Sequence, residues 1–309
     1  MRSLLTALLL AAAAFVSAAA PCSAATVIGM GDQNPKLFED PRFTSLSKVK
    51  VVRYIAPWDV ENVPYAKAQA EAWIAAAKAK GYLIHFTFNY GAAKPLVNPT
   101  VAQYVAATKP FVARHKASVE SWGVFNEVNR GLAEGRFTTP APRLAAQLAT
   151  AFRTKVCVGC KVVAVDLLDG MNVAGTLTYL KAFLRAIGKN RPKIVGFHNY
   201  SDTNRNSMTR TAALLKAVGK APKVWITETG GLYKFGADGS GFLPDSKRQA
   251  TAIRQVFKIA KKYPRIERTI FYNFYGPGED RPDDIFDAGL ISGVDTIRPA
   301  YNVFKKYAK

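Results

Sequence analysis

Apolar and polar positions along the chain follow two alternating rhythms. Short apolar runs rich in Val, Ile and aromatic residues, the composition of buried strands, are separated by longer segments in which apolar residues return every three or four positions, as on one face of a helix. The runs Thr26–Met30, Val49–Ile55, Tyr82–Phe88, Ser121–Asn129, Lys161–Val165, Ile194–Tyr200, Lys223–Gly230 and Ile266–Phe274 are the strand candidates. Among the helical segments, Pro41 to Ser47 is long enough for one turn, and Pro64 opens an Ala-rich helix with Trp73 and Ile74 that stops at Gly81. Asn98 and Pro99 are suited to start a helix through Val101, Tyr104, Val105 and Val112, which Pro110 should kink or divide. Thr139 and Pro140 cap a segment with Leu144, Leu148 and Phe152 on one face. Leu177, Leu180, Leu184 and Ile187 mark another helix, and Met208, Ala212, Leu215 and Val218 form a stripe ended by Gly219. A helix over Ser246–Tyr263 and a closing one from Pro299, with Tyr301, Phe304 and Tyr307, complete the series.

Strict strand-helix alternation predicts an α/β fold with a parallel sheet, and eight units predict a single closed (β/α)8 TIM barrel rather than an open doubly wound sheet. No Gly-rich dinucleotide fingerprint or phosphate loop follows the first strand, which counts against the open alternative. With 309 residues, 49% of them hydrophobic, the chain can bury one large core. No linker-like tract, charge block or internal repeat divides it. Residues 1–25 read separately: Arg2, the Leu/Ala run to Val16 and the small residues up to Ala25 have the regions of a secretory signal peptide, leaving 26–309 as the barrel domain and no transmembrane segment in the mature chain. The apolar run is shorter than the roughly 20 residues a membrane span needs. Cys22 raises a lipid-attachment alternative, to which Pro21 is poorly suited.

Export changes how the other cysteines are read. Cys157 and Cys160, between a helical pattern and a strand, are expected to form a local disulfide in an oxidising compartment. A thioredoxin-like redox pair lacks its βαβ context here, and zinc lacks ligands, since His85, His115 and His198 are scattered; no metal or other cofactor is expected. The excess of 43 Lys and Arg over 22 Asp and Glu gives a formal charge of +21. Much of it falls on outer helix faces, such as Lys247, Arg254, Lys258 and Lys261 opposite Ala250, Ile253, Phe257 and Ala260. Such a face is usually just solvated. On an exported, monomeric protein it also suggests screened attraction to an anionic polysaccharide or the cell envelope. Specific nucleic-acid recognition is not expected, because the basic residues are spread over many helices without a recognisable module.

In a barrel of this kind chemistry belongs at the C-terminal ends of the strands. The fourth run ends in Asn126 and Glu127, and the seventh delivers Glu228 before a Gly-Gly turn. Two carboxylates on two strand ends are the minimum for acid/base hydrolysis of a glycosidic bond. Asn126 and Glu127 are adjacent, so a regular strand would point them apart, and both reach one site only if the strand bulges or bends. Arg53 shares parity with Val51 and Ile55 and can face the lumen only if paired; the expected partner is Glu228 or a neighbour that supports it. His198 and Tyr200, two apart, should point the same way. Asp32, Asp59, Asp166 and Asp287 also fall near strand ends, where turn or cap roles are the common outcome. Trp58, Tyr233, Phe235 and Tyr275 are candidates for stacking on sugar rings, and the Gly-rich stretch 230–241 for a wall of the cleft.

On the residues FNE ending the fourth run, WITETG ending the seventh, Arg53 on the second and HNY on the sixth, the chain resembles the clan A glycoside hydrolases, which include families 5 and 39. The resemblance implies that Glu127 is the acid/base, Glu228 the nucleophile and Asn126 a contact of the sugar 2-hydroxyl. It also implies that Tyr200 hydrogen-bonds the nucleophile and His198 lines the cleavage subsite. Where such enzymes carry a Trp after strand eight, FYNFYG here offers Tyr272, Phe274 or Tyr275. The mechanism implied is retaining, with Glu127 protonated and Glu228 ionised near neutral pH. The competing reading is a catalytically silent carbohydrate- or envelope-binding barrel.

Overall fold

The structure, a computed structural model, describes residues 26–130, 138–170, 172–236, 241–277 and 286–309. The expected signal peptide over 1–25, including Cys22, lies outside them.

Parallel strands β1 (Val27–Gly31), β2 (Val49–Pro57), β3 (Leu83–Asn89), β4 (Ser121–Gly123), β5 (Val162–Leu168), β6 (Ile194–His198), β7 (Lys223–Thr229) and β8 (Ile266–Tyr272) pair in chain order, and β8 returns to β1, closing the barrel. The chain is therefore a (β/α)8 TIM barrel. Helices α1 (Pro41–Thr44), α2 (Pro64–Ala79), α3 (Val101–His115), α4 (Pro142–Ala151), α5 (Val173–Ile187), α6 (Tyr200–Asn204), α7 (Thr209–Val218), α8 (Ser246–Lys262) and α9 (Pro299–Ala308) follow the strands.

Parity along each strand sorts side chains into two layers. Outward positions such as Tyr54, Phe86, Phe88 and Trp122 pack with Trp73 of α2, Phe111 of α3 and Phe152 into an aromatic layer between sheet and helices. Inward positions fill the lumen. Near its N-terminal end Val163, Ile194 and Trp225 form a small apolar cluster, closed by Arg268 stacked 4.0 Å over the Trp225 ring and paired to Glu120 at 2.7 and 2.8 Å. Toward the C-terminal end the lumen turns polar, with Arg53, Asp166, His198 and Thr227 all buried.

Several boundaries depart from the sequence expectation for local reasons. The start of α3 is Thr100, which forms a reciprocal capping box with Gln103 in preference to Asn98–Pro99. Pro110 does not divide that helix. Pro142, not Pro140, occupies the first turn of α4. The sixth strand stops at His198, and Tyr200 opens the short α6, which the apolar rhythm did not reveal because all five of its residues are buried. The fifth strand runs on past Val165 to Leu168, which places Asp166 inside the sheet. Cys157 and Cys160 are disulfide-bonded, with Cα atoms 5.5 Å apart, in the turn between α4 and β5.

Candidate active site

The Glu127 side of the site is built by ending a strand early. β4 has only three residues, yet the chain beyond it stays stitched to both neighbours: Asn126 N donates to Phe88 O of β3 at 2.7 Å, and Val128 N to Asp166 O of β5 at 3.0 Å. Asn129 adds two side-chain bonds to the backbone of Leu168, both 2.8 Å. Between these ties Glu127 adopts φ +46°, a left-handed conformation uncommon for a residue with a side chain. That turn supplies the bend needed to bring Asn126 and Glu127, neighbours in sequence, to one side.

On the opposite wall β7 solves the same problem with a bulge. Phe197 pairs with Ile226 but the next residue, His198, pairs with Glu228, so β7 carries one extra residue against β6. Thr227 points into the lumen, donating to Asp166, and the extra residue lets Glu228 reach inward as well.

Arg53 joins the two walls. Its Nη1 donates to Glu228 Oε2 at 2.5 Å, and Nη2 donates to Asn126 Oδ1 at 2.6 Å and to Asp166 Oδ2 at 3.3 Å. The expected pairing with Glu228 is thus present, with two further acceptors. Asp166 fits because β6 offers Gly196 across from it: a Cβ at Gly196 would lie 2.5 Å from Asp166 Oδ1 and 2.8 Å from Thr227 Oγ1. His198 reaches Glu127 with Nδ1 (2.9 Å to Oε1), while that same nitrogen lies 3.9 Å from Glu228 Oε2 and Nε2 lies 3.4 Å from Asp166 Oδ1. Tyr200 donates to Glu228 Oε1 at 3.0 Å, and Arg130 donates to Glu127 Oε2 at 3.1 Å. His198 and Tyr200 do serve one site, although from a strand end and a helix start respectively.

Charge follows from this geometry. Burial alone would push the His198 imidazole down, but the carboxylates of Glu228 and Asp166 and the bonds it makes push it up to about 10. Burial pulls Glu127 the other way, yet the His198 hydrogen bond and charge, with Arg130 and Arg53, hold its carboxyl below the usual range. These surroundings favour the charged forms of Glu127 and His198 together, against the expectation of a protonated Glu127. Asp166 is likewise held down, against its burial, by His198 and Arg53. The Tyr200 phenol, pushed well above its usual range by burial and by Glu228, remains a donor.

Exposure separates what faces the cleft from what lies beneath. Asn126 (7%), Glu127 (8%), Glu228 (7%) and Tyr200 (8%) reach its surface, whereas Arg53 (1%), Asp166 (1%) and His198 (0%) do not. Arg53 and His198 therefore touch the carboxylates rather than a bound ligand, and His198 is not a lining residue as the resemblance implied. The cleft, about 420 Å³, is lined by Asn126, Glu127, Arg130, Asp169, Tyr200, Arg205, Glu228 and Tyr272. Phe235, Phe242 and Phe286 form an apolar wall, where a short antiparallel pair joins Lys234–Phe235 to Phe286–Asp287. Of the proposed stacking residues Phe235 lies in this wall, while Trp58, Tyr233 and Tyr275 do not line the cleft. Tyr275 is turned away, its hydroxyl donating to Asp40 at 2.8 Å.

Sequence reasoning left Asp166 unranked and did not name Asp169, Arg130 or Phe242. The other strand-end aspartates have structural roles: Asp32 accepts from the backbone of Phe274 and Tyr275, Asp59 from Ala92 and Ala93, and Asp287 pairs with Arg298.

Glu127, His198 and Glu228 each present one ligand-type atom, all within 4.8 Å of one another. The trio does not suit a metal ion. Arg53 already donates to a carboxylate oxygen of Glu228 and Arg130 to one of Glu127, so a cation there would meet two guanidinium charges.

No protein-family profile matches the sequence, and no curated protein matches it. Solved structures do. A psychrophilic family 10 endo-β-1,4-xylanase aligns over 91% of this chain and 96% of its own, with TM-score 0.65 and 15% identity. A family 39 glycoside hydrolase from Bacteroides cellulosilyticus WH2 aligns over 91% of this chain and 63% of its own, with TM-score 0.60 and 16% identity. A family 5, subfamily 18 structure from Bifidobacterium longum aligns over 92% and 79%, with TM-score 0.64 and 12% identity. At these identities the likeness establishes a shared barrel fold.

Proposed function

We propose that the protein is a retaining glycoside hydrolase that cleaves O-glycosidic bonds of an oligo- or polysaccharide by double displacement, with Glu228 as nucleophile and Glu127 as acid/base. The observation that carries the reading is the carboxylate pair: on opposite strand ends, both opening on one cleft, the two present oxygens within 4.8 Å of each other. Retaining enzymes need their carboxyl groups about 5–5.5 Å apart, and inverting enzymes about 6.5–9.5 Å. The similar structures described above are glycoside hydrolases, which agrees with it.

Glu228 is held for attack on an anomeric carbon. One oxygen accepts from Arg53 and the other from Tyr200, so the carboxylate is fixed in place with charge and hydrogen bonds on its far side. Glu127 acts on the opposite side of the scissile bond. His198 Nδ1, 2.9 Å from Glu127 Oε1, orients the carboxyl group that passes a proton to the departing oxygen. After the glycosyl-enzyme has formed, Glu127 accepts a proton from the incoming water, which then displaces Glu228. Asn126, fixed by Arg53, is placed for the sugar hydroxyl next to the anomeric carbon, and Tyr272 for a platform beneath the ring.

Export is part of the proposal and rests on the leader-like residues 1–25 together with the Cys157–Cys160 disulfide.

The test is a screen on chromogenic glycosides and polysaccharides, then trapping with a 2-fluoro glycoside of the sugar that is cut. Mass spectrometry should find the label on Glu228. Glu127→Ala should lose about 10²–10⁴-fold on substrates with poor leaving groups. Added azide should restore turnover and give a glycosyl azide of unchanged anomeric configuration. A label elsewhere, or an inverted product, would remove the assignment.

A further inference from the structure

Beside the catalytic cleft lies a second and larger depression of about 1050 Å³, and the two share Ile55 and Tyr272 as a common wall. It occupies the mouth of the barrel over the C-terminal ends of β2 and β3, with α2 as its outer bank. We infer that this depression is the continuation of the substrate groove, that it binds neutral pyranose units of the same chain, and that the protein therefore cuts its polysaccharide internally. The inference rests on the hydrolase reading for the position of the cut, but not for the binding.

Among the described residues its lining has no Asp, Glu, Lys or Arg. Polar contact is offered by the amides Gln33, Gln69 and Asn89, and aromatic surface by Tyr65 and Tyr90. Tyr65 is 63% exposed, which for an aromatic side chain at a concave surface leaves a face with no protein covering it. A pyranose ring has the complementary chemistry, with apolar C–H faces for the aromatic rings and equatorial hydroxyls for the amides. Against these described residues a polyanion would leave its carboxylates without a counter-charge, which is unfavourable. The two arms differ in this respect, because the catalytic cleft contains Arg130 and Arg205.

The depression is built rather than incidental. The face of α2 toward it carries small residues, Ala68 and Ala72, where longer side chains would fill it. Its other bank, around Gly91 and Ala92, is pinned by Asp59, which accepts from Ala92 N at 2.8 Å and Ala93 N at 3.1 Å. Since Arg53 of β2 holds Glu228, the strand that forms this floor also fixes the nucleophile. A sugar chain lying over Tyr272 would thus have units on both sides of the carboxylate pair.

The test uses the full mature chain carrying Glu228→Gln, with Glu127→Gln as a second inactive background. Binding of neutral gluco-, xylo-, manno- and galacto-configured bioses and hexaoses, and of a hexauronate, is measured by calorimetry. At least one neutral hexaose should bind about ten-fold or more tightly than its biose, and Ala72→Trp or Tyr65→Ala should remove that gain. Both substitutions are at exposed positions of α2. On the matching polymer, the active protein should lower viscosity well before reducing ends accumulate. The inference is overturned if no neutral hexaose gains over its biose, if the gain survives both substitutions, if the hexauronate gains more, or if the polymer is shortened only from its ends. If the gain is present and sensitive to Ala72→Trp but the active protein cuts none of these sugars, the groove stands and the hydrolase reading falls.

Discussion

At the scale of single residues, Arg53 carries the most consequence. Its guanidinium is 1% exposed and serves three acceptors at once, so removing it takes from two buried carboxylates, Glu228 and Asp166, the positive charge that hydrogen-bonds both. Arg53→Met should destabilise the protein by roughly 3–5 kcal/mol, the cost of breaking a buried pair from one side, read as a shift in the urea midpoint. His198 makes a prediction in pH. Its folded value, about 10, lies above the 6.5 of the free side chain, so the stability it contributes is complete below about pH 6.5 and disappears as pH rises through 10. Replacing His198 with Asn should flatten the decline in stability over that window, and an equal decline in both proteins would remove the assigned ionisation. Arg53 was legible in sequence because a charge interrupts an apolar strand. Asp166 obeys the same logic, but the apolar run seemed to end at Val165, and a strand-end aspartate is ordinarily a turn residue. What marks it is on another strand: Gly196 leaves the space it fills.

Secondary-structure elements contribute by where they stop and slip. Neither Glu127 nor Glu228 reaches the site from a regular strand: Glu127 needs a left-handed turn past β4, and Glu228 an extra residue in β7. The first was legible as a requirement, since adjacent Asn126 and Glu127 could not otherwise converge. The second was not, because bulges depend on pairing between strands, which the order of residues along one strand does not record. Gly196→Ala tests the fit of β5, β6 and β7. The added methyl would press on Asp166 and Thr227, costing about 1–3 kcal/mol and loosening the Arg53–Asp166 contact, with activity falling more than stability alone explains. Asp169 tests the α6 start, where it accepts from Ser201 N and Asp202 N and burial pushes it up to about 7. A folded value above the ordinary 3.8 means its contribution is greatest below that pH and is lost as pH rises to 7, at a cost on the order of a few kcal/mol. Asp169→Asn should reduce the stability difference between pH 4 and pH 7.

For the whole molecule, the eight-fold alternation of strand and helix was readable because each unit repeats the same pair of apolar periods, and closure follows once the count reaches eight. The position of the large cleft was not readable. It is formed largely by Ala, Gly and Tyr from β2, α2 and the loop after β3, none of which stands out in its own segment. The charge of +21 is a property of the molecule as a whole. Adsorption to an acidic polymer such as polygalacturonate should therefore weaken steadily as salt rises from 0.01 to about 1 M, where the screening length falls from about 30 Å to about 3 Å. Turnover of a small neutral glycoside should change little over the same range.

The Arg53 guanidinium has a final consequence for how the site comes together. It reaches from β2 to partners on or just past β4, β5 and β7, so the reactive centre spans half the circumference of the barrel. A chain that has recovered its helices but not its ring closure would lack the Arg53–Glu228 pairing on which the proposed activity depends. During refolding, the return of turnover should coincide with the last strand pairing, which would make a simple colour assay a clock for barrel completion.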